Sequence, residues 1–155
     1  MRIVFQKGID GPDRVTCFRQ DGSCCEAELS AGCAYHDLAH FVVESELGLS
    51  EGIWGKIGEG FTFAEFNLPN ETRPFQISLQ GYQAEFLATL IQSAVPTGTI
   101  PESYVYMLRD ASTAQNLPFP ELPQESVLQV LITKAQMLSR QWEALPAGQN
   151  MELTF

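Results

Sequence analysis

The chain has 155 residues and carries 19 acids against 9 lysines and arginines, a net charge of −10. Hydrophobic residues at 45% suit a globular chain and exclude disorder. No apolar run approaches the roughly 18 residues that span a bilayer, and the acid excess, with no basic cluster, argues against nucleic acid and anionic membrane as partners.

The chain opens on Met1-Arg2-Ile3-Val4-Phe5-Gln6-Lys7, which reads as a strand and is too short and polar for a signal segment, so the expected location is cytoplasmic. Residues 14–20 and 23–29 flank Asp21-Gly22, a two-residue hairpin signal. That turn would set Phe18 opposite Cys25 and Cys17 opposite Glu26. Thr16, Phe18, Cys25, Ala27 and Leu29 would then face the core, with Cys17, Arg19, Cys24, Glu26 and Glu28 on the wetter face. The four cysteines, Cys17, Cys24, Cys25 and Cys33, form no Cys-x-x-Cys pair and read as thiols.

A helix is predicted from Tyr35 to Leu47, stopped by Gly48. One or two further turns follow within Ser50–Ile57, ended by Gly58 and Gly60. Residues 61–78 carry Phe61, Phe63, Phe66 and Phe75 with two prolines and read as irregular chain pinned by aromatics. Helical periodicity returns from Leu79 to Val95, from Pro101 to about Ala111, and from Pro123 to about Ala144. Met151, Leu153 and Phe155 alternate as a strand. No repeat or long linker divides the chain. The expected architecture is a single α+β domain over residues 1–155. Its small, mainly antiparallel sheet comes from the N-terminal strands plus the C-terminal strand, packed against three to four helices. No glycine-rich phosphate loop is present.

Both histidines lie in Tyr35-His36-Asp37-Leu38-Ala39-His40-Phe41-Val42-Val43-Glu44. Four residues make about one helical turn, so the two imidazoles share a face and can hold one divalent metal, zinc or another. On a helical wheel the apolar stripe is Ala34, Leu38, Phe41, Val42 and Ser45. His36, His40 and Glu44 fall opposite it, facing solvent, a cleft or a second layer. His36 and Glu44 are separated by about 12 Å along a straight helix, so Glu44 suits a place behind His40, raising its basicity rather than sharing the ion. The third ligand must come from elsewhere, and Cys33, Glu59 and Glu65 are candidates by position. No Gly-x-Ser-x-Gly occurs to place a serine nucleophile; a Cys33–His36 dyad is compatible with spacing alone.

His36-Asp37-x-x-His40 resembles the His-Glu-x-x-His pattern of zinc metallopeptidases. The resemblance implies zinc at the imidazoles, with Asp37 in place of the general-base glutamate and one methylene short of its usual reach. Glu59 falls about where one group of those enzymes has its third ligand. A wider resemblance runs from His36-Asp37-Leu38-Ala39-His40-Phe41-Val42-Val43-Glu44 through Leu47-Gly48-Leu49 and Gly52-Ile53-Trp54-Gly55. It resumes at Trp142-Glu143-Ala144-Leu145 and Glu152-Leu153-Thr154-Phe155. These segments resemble a group of small bacterial cytosolic proteins of unassigned function, which implies such an origin and carries no activity.

Two readings follow. In one the chain binds a divalent metal through His36 and His40, with hydrolysis as a use for it. In the other it is a non-catalytic binding or protein-interaction domain, in which His36 caps a helix and His40 and Glu44 form a surface pair.

Overall fold

A computed structural model describes residues 1–155. Four strands, β1 (Arg2–Gln6), β2 (Asp13–Phe18), β3 (Cys24–Leu29) and β4 (Asn150–Thr154), form one antiparallel sheet in the order β3-β2-β1-β4. Four long helices, α1 (Cys33–Leu47), α4 (Leu79–Ala94), α5 (Glu102–Ala114) and α6 (Glu125–Ala144), are joined by two short ones, α2 (Ile53–Glu59) and α3 (Phe63–Phe66). This is the expected α+β architecture, with the C-terminal strand paired to β1. None of the helices is long and apolar enough to cross a membrane.

Strand alternation decides the inner face of the sheet. Leu153, Ile3, Cys17 and Cys25 form one cross-strand row, and Met151, Phe5, Val15 and Ala27 the next. Ile3, Phe5, Val15 and Cys17 are fully buried beneath the helices. Phe5 meets Trp54 of α2 and Trp142 of α6 edge-on, with both centroid distances 6.0 Å, and so joins the sheet to two helices. The opposite face carries Arg14, Glu28 and Glu152 and stays wet, as one side of an antiparallel sheet can.

The β2–β3 hairpin departs from the expected register by one residue. Cys17 faces Cys25, and Phe18 faces Cys24. The connection has three residues, not two. Gly22 N–H donates to the Arg19 carbonyl at 3.2 Å, and Arg19 N–H to the Ser23 carbonyl at 2.9 Å. Gly22 then takes the left-handed conformation (φ 86°) that follows a type I turn in such loops. Asp21 accepts from the Ser23 backbone N–H at 2.9 Å and its hydroxyl at 2.7 Å, which anchors the longer loop. A one-residue slip turns every β2 side chain over. Val15 and Cys17 therefore point inward, while Phe18 is 37% exposed beneath the Arg2 guanidinium, 4.2 Å from its ring centroid. The inward set expected for β3 holds: Leu29 is buried, and Cys25 and Ala27 are half-buried against the core. All four cysteines are free thiols.

Residues 61–78 are mostly irregular, as expected, except for the single turn of α3. Its capping box pairs Thr62 with Glu65.

Because β4 pairs along the whole of β1 and Met151, Leu153 and Phe155 pack on the core, removing residues 149–155 should cost a few kcal/mol of stability. Thermal melts should show a clearly lowered Tm; an unchanged Tm would mean that β4 is dispensable.

Candidate metal site

The site begins with a helix pair. α1 and α4 pack together, and Ala39 on α1 and Ala84 and Ala88 on α4 are fully buried. Small side chains let two helices approach closely. Ser78 caps α4 by accepting from Gly81 N–H at 3.1 Å. Glu85 and Gln92, seven residues apart on α4, both reach the histidines of α1.

His36 and His40 lie edge to face, centroids 4.7 Å apart. Each is held at one nitrogen by a side-chain oxygen, which can only accept. Nδ1 of His36 is 3.0 Å from Gln92 Oε1, and Nδ1 of His40 is 3.0 Å from Glu44 Oε1. Both Nδ1 atoms therefore carry the proton, and both Nε2 atoms are left facing Glu85. Glu85 Oε1 is 3.4 Å from Nε2 of His36, and Oε2 is 3.1 Å from Nε2 of His40. The space among the three must hold protons or a cation. One ligand atom from each of His36, His40 and Glu85 lies within 4.8 Å of the others, so the group can hold a metal ion. Zinc sits about 2.0–2.2 Å from such ligands, so small side-chain rotations would close the set.

His40 and Glu44 are not a surface pair: they are 4% and 1% exposed. The face opposite the apolar stripe is covered by a second layer, made by α4 and the start of α2. Nor does His36 cap α1, whose N-cap is Gly32. Glu44 accepts from His40 and from three backbone N–H groups at the start of α2: Ile53 and Trp54 at 3.0 Å and Gly55 at 3.3 Å. These donors have no partner inside α2, so Glu44 caps that helix from α1. Gly52 makes the approach possible. A Cβ there would sit 2.2 Å from the Glu44 carboxyl carbon.

Of the third-ligand candidates, none lies in this group. Cys33 is exposed, Glu59 pairs with Lys56 at 3.0 Å, and Glu65 is engaged by Thr62 at 2.6 Å. The third member is Glu85. Its signal was present in the sequence, since it is the single charged residue of α4. Gln92, two turns on, carried no comparable mark.

The electrostatics follow from burial and pairing. Burial by itself lowers the His40 pKa, but hydrogen bonds to Glu44 and Glu85 overcome it and lift the pKa to about 9. Glu85 raises His36 as well, and the two histidines hold Glu85 well below the usual carboxylate range. Burial pushes Asp37 up to about 6, against the pull of both histidines. Asp37, His36, His40 and Glu85 line one cavity of about 260 Å³, walled by Phe66, Phe75 and Ile77.

Two consequences can be measured. Glu44→Ala leaves three N–H donors and one imidazole without an acceptor and should destabilise the protein by about 3–5 kcal/mol. Gly52→Ala should act in the same direction by displacing the carboxyl group. Urea denaturation of both variants checks this; wild-type midpoints would refute the capping role.

The second consequence is a pH dependence of the metal-free protein. His40 has its pKa raised above about 6.5, so its stabilisation is complete below that pH and is lost as pH rises through 9. Glu85, with its pKa lowered, contributes above about 4.5 and loses that contribution in acid. In EDTA, stability should fall between pH 6.5 and 9.5 by on the order of 1–2 kcal/mol, a figure kept small because solvent screens the 59% exposed Glu85 side chain. His40→Gln should lose most of this slope, His36 keeping a smaller share through Glu85, and an equal slope in that variant would rule out His40 as its source.

No protein-family model, curated protein or solved structure matches this chain.

Proposed function

We propose that this protein binds a divalent ion of the zinc class through Nε2 of His36, Nε2 of His40 and the Glu85 carboxylate. One observation carries the reading: both imidazoles are fixed at Nδ1, by Gln92 and Glu44, and turn Nε2 toward one carboxylate. Metal-binding histidines are oriented in this way by acceptors on the other nitrogen. Two imidazoles and a carboxylate suit zinc and also ferrous iron or manganese.

Three protein ligands leave a position open, and here the group borders a cavity. Closed four-ligand sets are typical of structural zinc, whereas an open position admits water or substrate. An ion held here would polarise a bound carbonyl or water, which supports hydrolysis as the use of the site. The surface pair of the protein-interaction reading is absent, since His40 and Glu44 are buried.

Protein purified without an affinity tag should carry, or take up from solution, close to one equivalent of zinc. His40→Ala and Glu85→Ala should abolish uptake at micromolar protein. Glu44→Gln should weaken it about 10–100-fold by loosening His40. Binding must expel the proton from Nε2 of His40, so affinity should rise with pH up to about 9. Calorimetry in buffers of different ionisation enthalpy should show proton release at pH 7.5. No zinc uptake by the wild-type chain at micromolar concentration would end this reading.

A further inference from the structure

We infer that the ligand presented to this site is an uncharged, peptide-like molecule that spans two adjoining cavities. The inference rests on the metal reading above and extends it to the substrate class. A second cavity, of about 540 Å³, lies between α4, α5 and the proline-rich segment before α6. It shares Tyr82 and Glu85 with the metal cavity. Glu85 thus stands at the junction, one side chain serving both spaces. A ligand held at the ion has a direct continuation past Tyr82 into the larger space.

The lining decides the chemistry. No lysine or arginine lines either cavity, while Asp37, Glu51, Glu85 and Glu121 do. A phosphate or carboxylate would find no counter-charge beyond the ion itself and would be repelled by the acids. The smaller cavity offers Phe66, Phe75, Ile53 and Ile77 to an apolar group beside the ion. The larger one offers Gln83, Thr89, Ser112 and Gln115, set beside Phe86 and Leu108. Amide and hydroxyl side chains donate and accept, which matches the alternating N–H and C=O groups of an extended chain.

A sugar chain fits less well, because it would need open aromatic faces. Of the phenylalanine and tyrosine rings that line the two cavities, Phe66 and Phe75 are engaged with each other at 4.9 Å and Phe86 with Phe119 at 4.7 Å, which leaves Tyr82 alone to offer a face. The occupant is therefore a short peptide or N-acyl amino acid derivative with an apolar residue at the ion.

Hydroxamates provide the probe, because they chelate an ion in two open positions and can be extended. Calorimetry on the zinc-loaded protein, with zinc retention monitored, would compare acetohydroxamate, acetyl-glycyl-leucine hydroxamate and acetyl-glutamyl-leucine hydroxamate. The uncharged extended compound should bind at least about tenfold tighter than acetohydroxamate, a gain of about 1.4 kcal/mol. The glutamyl compound should lose most of that gain. Ala111→Trp and, independently, Leu117→Trp fill the larger cavity away from the ligands. Each should bring the extended compound to within about threefold of acetohydroxamate while leaving acetohydroxamate unchanged. Equal affinities for all three compounds, or a gain untouched by both tryptophans, would overturn the proposal. So would displacement of the extended compound by a neutral oligosaccharide at lower concentration than by a neutral peptide. Zinc retained with no hydroxamate bound removes the cleft alone, whereas failure to hold zinc removes the metal reading as well.

Discussion

A carboxylate buried at the junction of two helices constrains much of what lies around it. Glu44 is 1% exposed, and a charge so placed is tolerated only when its oxygens are fully engaged. Both oxygens accept backbone N–H groups of α2, and one also accepts from His40. The backbone of the same residue takes part, since its carbonyl accepts from Gly48 and from Leu49 at 2.9 Å, closing α1 just before the chain turns back. The corner between α1 and α2, the position of Trp54 in the core and the orientation of one imidazole therefore depend on a single side chain. Gly52 is its necessary complement, because any side chain there would occupy the space of the carboxyl group.

The second requirement is the closeness of α1 and α4. A glutamate can bridge two imidazoles on a neighbouring helix only if the backbones are near, and α1 and α4 pack directly on each other. Once Glu85 lies between the Nε2 atoms, its depressed pKa and the raised pKa values of both histidines are one fact seen from three groups. The Asp37 side chain makes no hydrogen bond to these three groups, although both histidines act on its charge. Its backbone carbonyl accepts the Trp54 indole N–H at 3.2 Å, while its side chain lines the cavity. Burial beside that cavity is what raises it.

Much of the fold was legible in the sequence because local chemistry and tertiary outcome agree. Gly48 ends α1 in the left-handed conformation, and Pro96 follows closely after α4. The hairpin register was not legible, because Asp-Gly suits both a two-residue and a three-residue loop. The choice fell to the Asp21 hydrogen bonds to Ser23. At the site, the spacing of His36 and His40 and the relation of Glu44 to His40 were readable from one helix. Their burial was not, since a wheel knows only the helix it is drawn for and the covering layer arrives from α2 and α4. Glu85 lies 45 residues from His40, and only its isolation among uncharged neighbours on α4 marked it.

Charge balance connects the metal-free arrangement to the ion it is suited to hold. A fully protonated histidine pair carries two positive charges, and so does a divalent ion bound by two neutral imidazoles. Exchanging one for the other leaves the field at Glu44 and Glu85 nearly unchanged. The nearby cation, Lys56, is already paired with Glu51 at 2.7 Å and Glu59 at 3.0 Å and does not compete for Glu85. The net charge of −10 adds a long-range attraction for any cation approaching the cavity, weakened by salt. The hydrogen bonds at both Nδ1 atoms thus hold the rings in the orientation that an ion would need. An ion taking the place of the protons at Nε2 would require no change of fold.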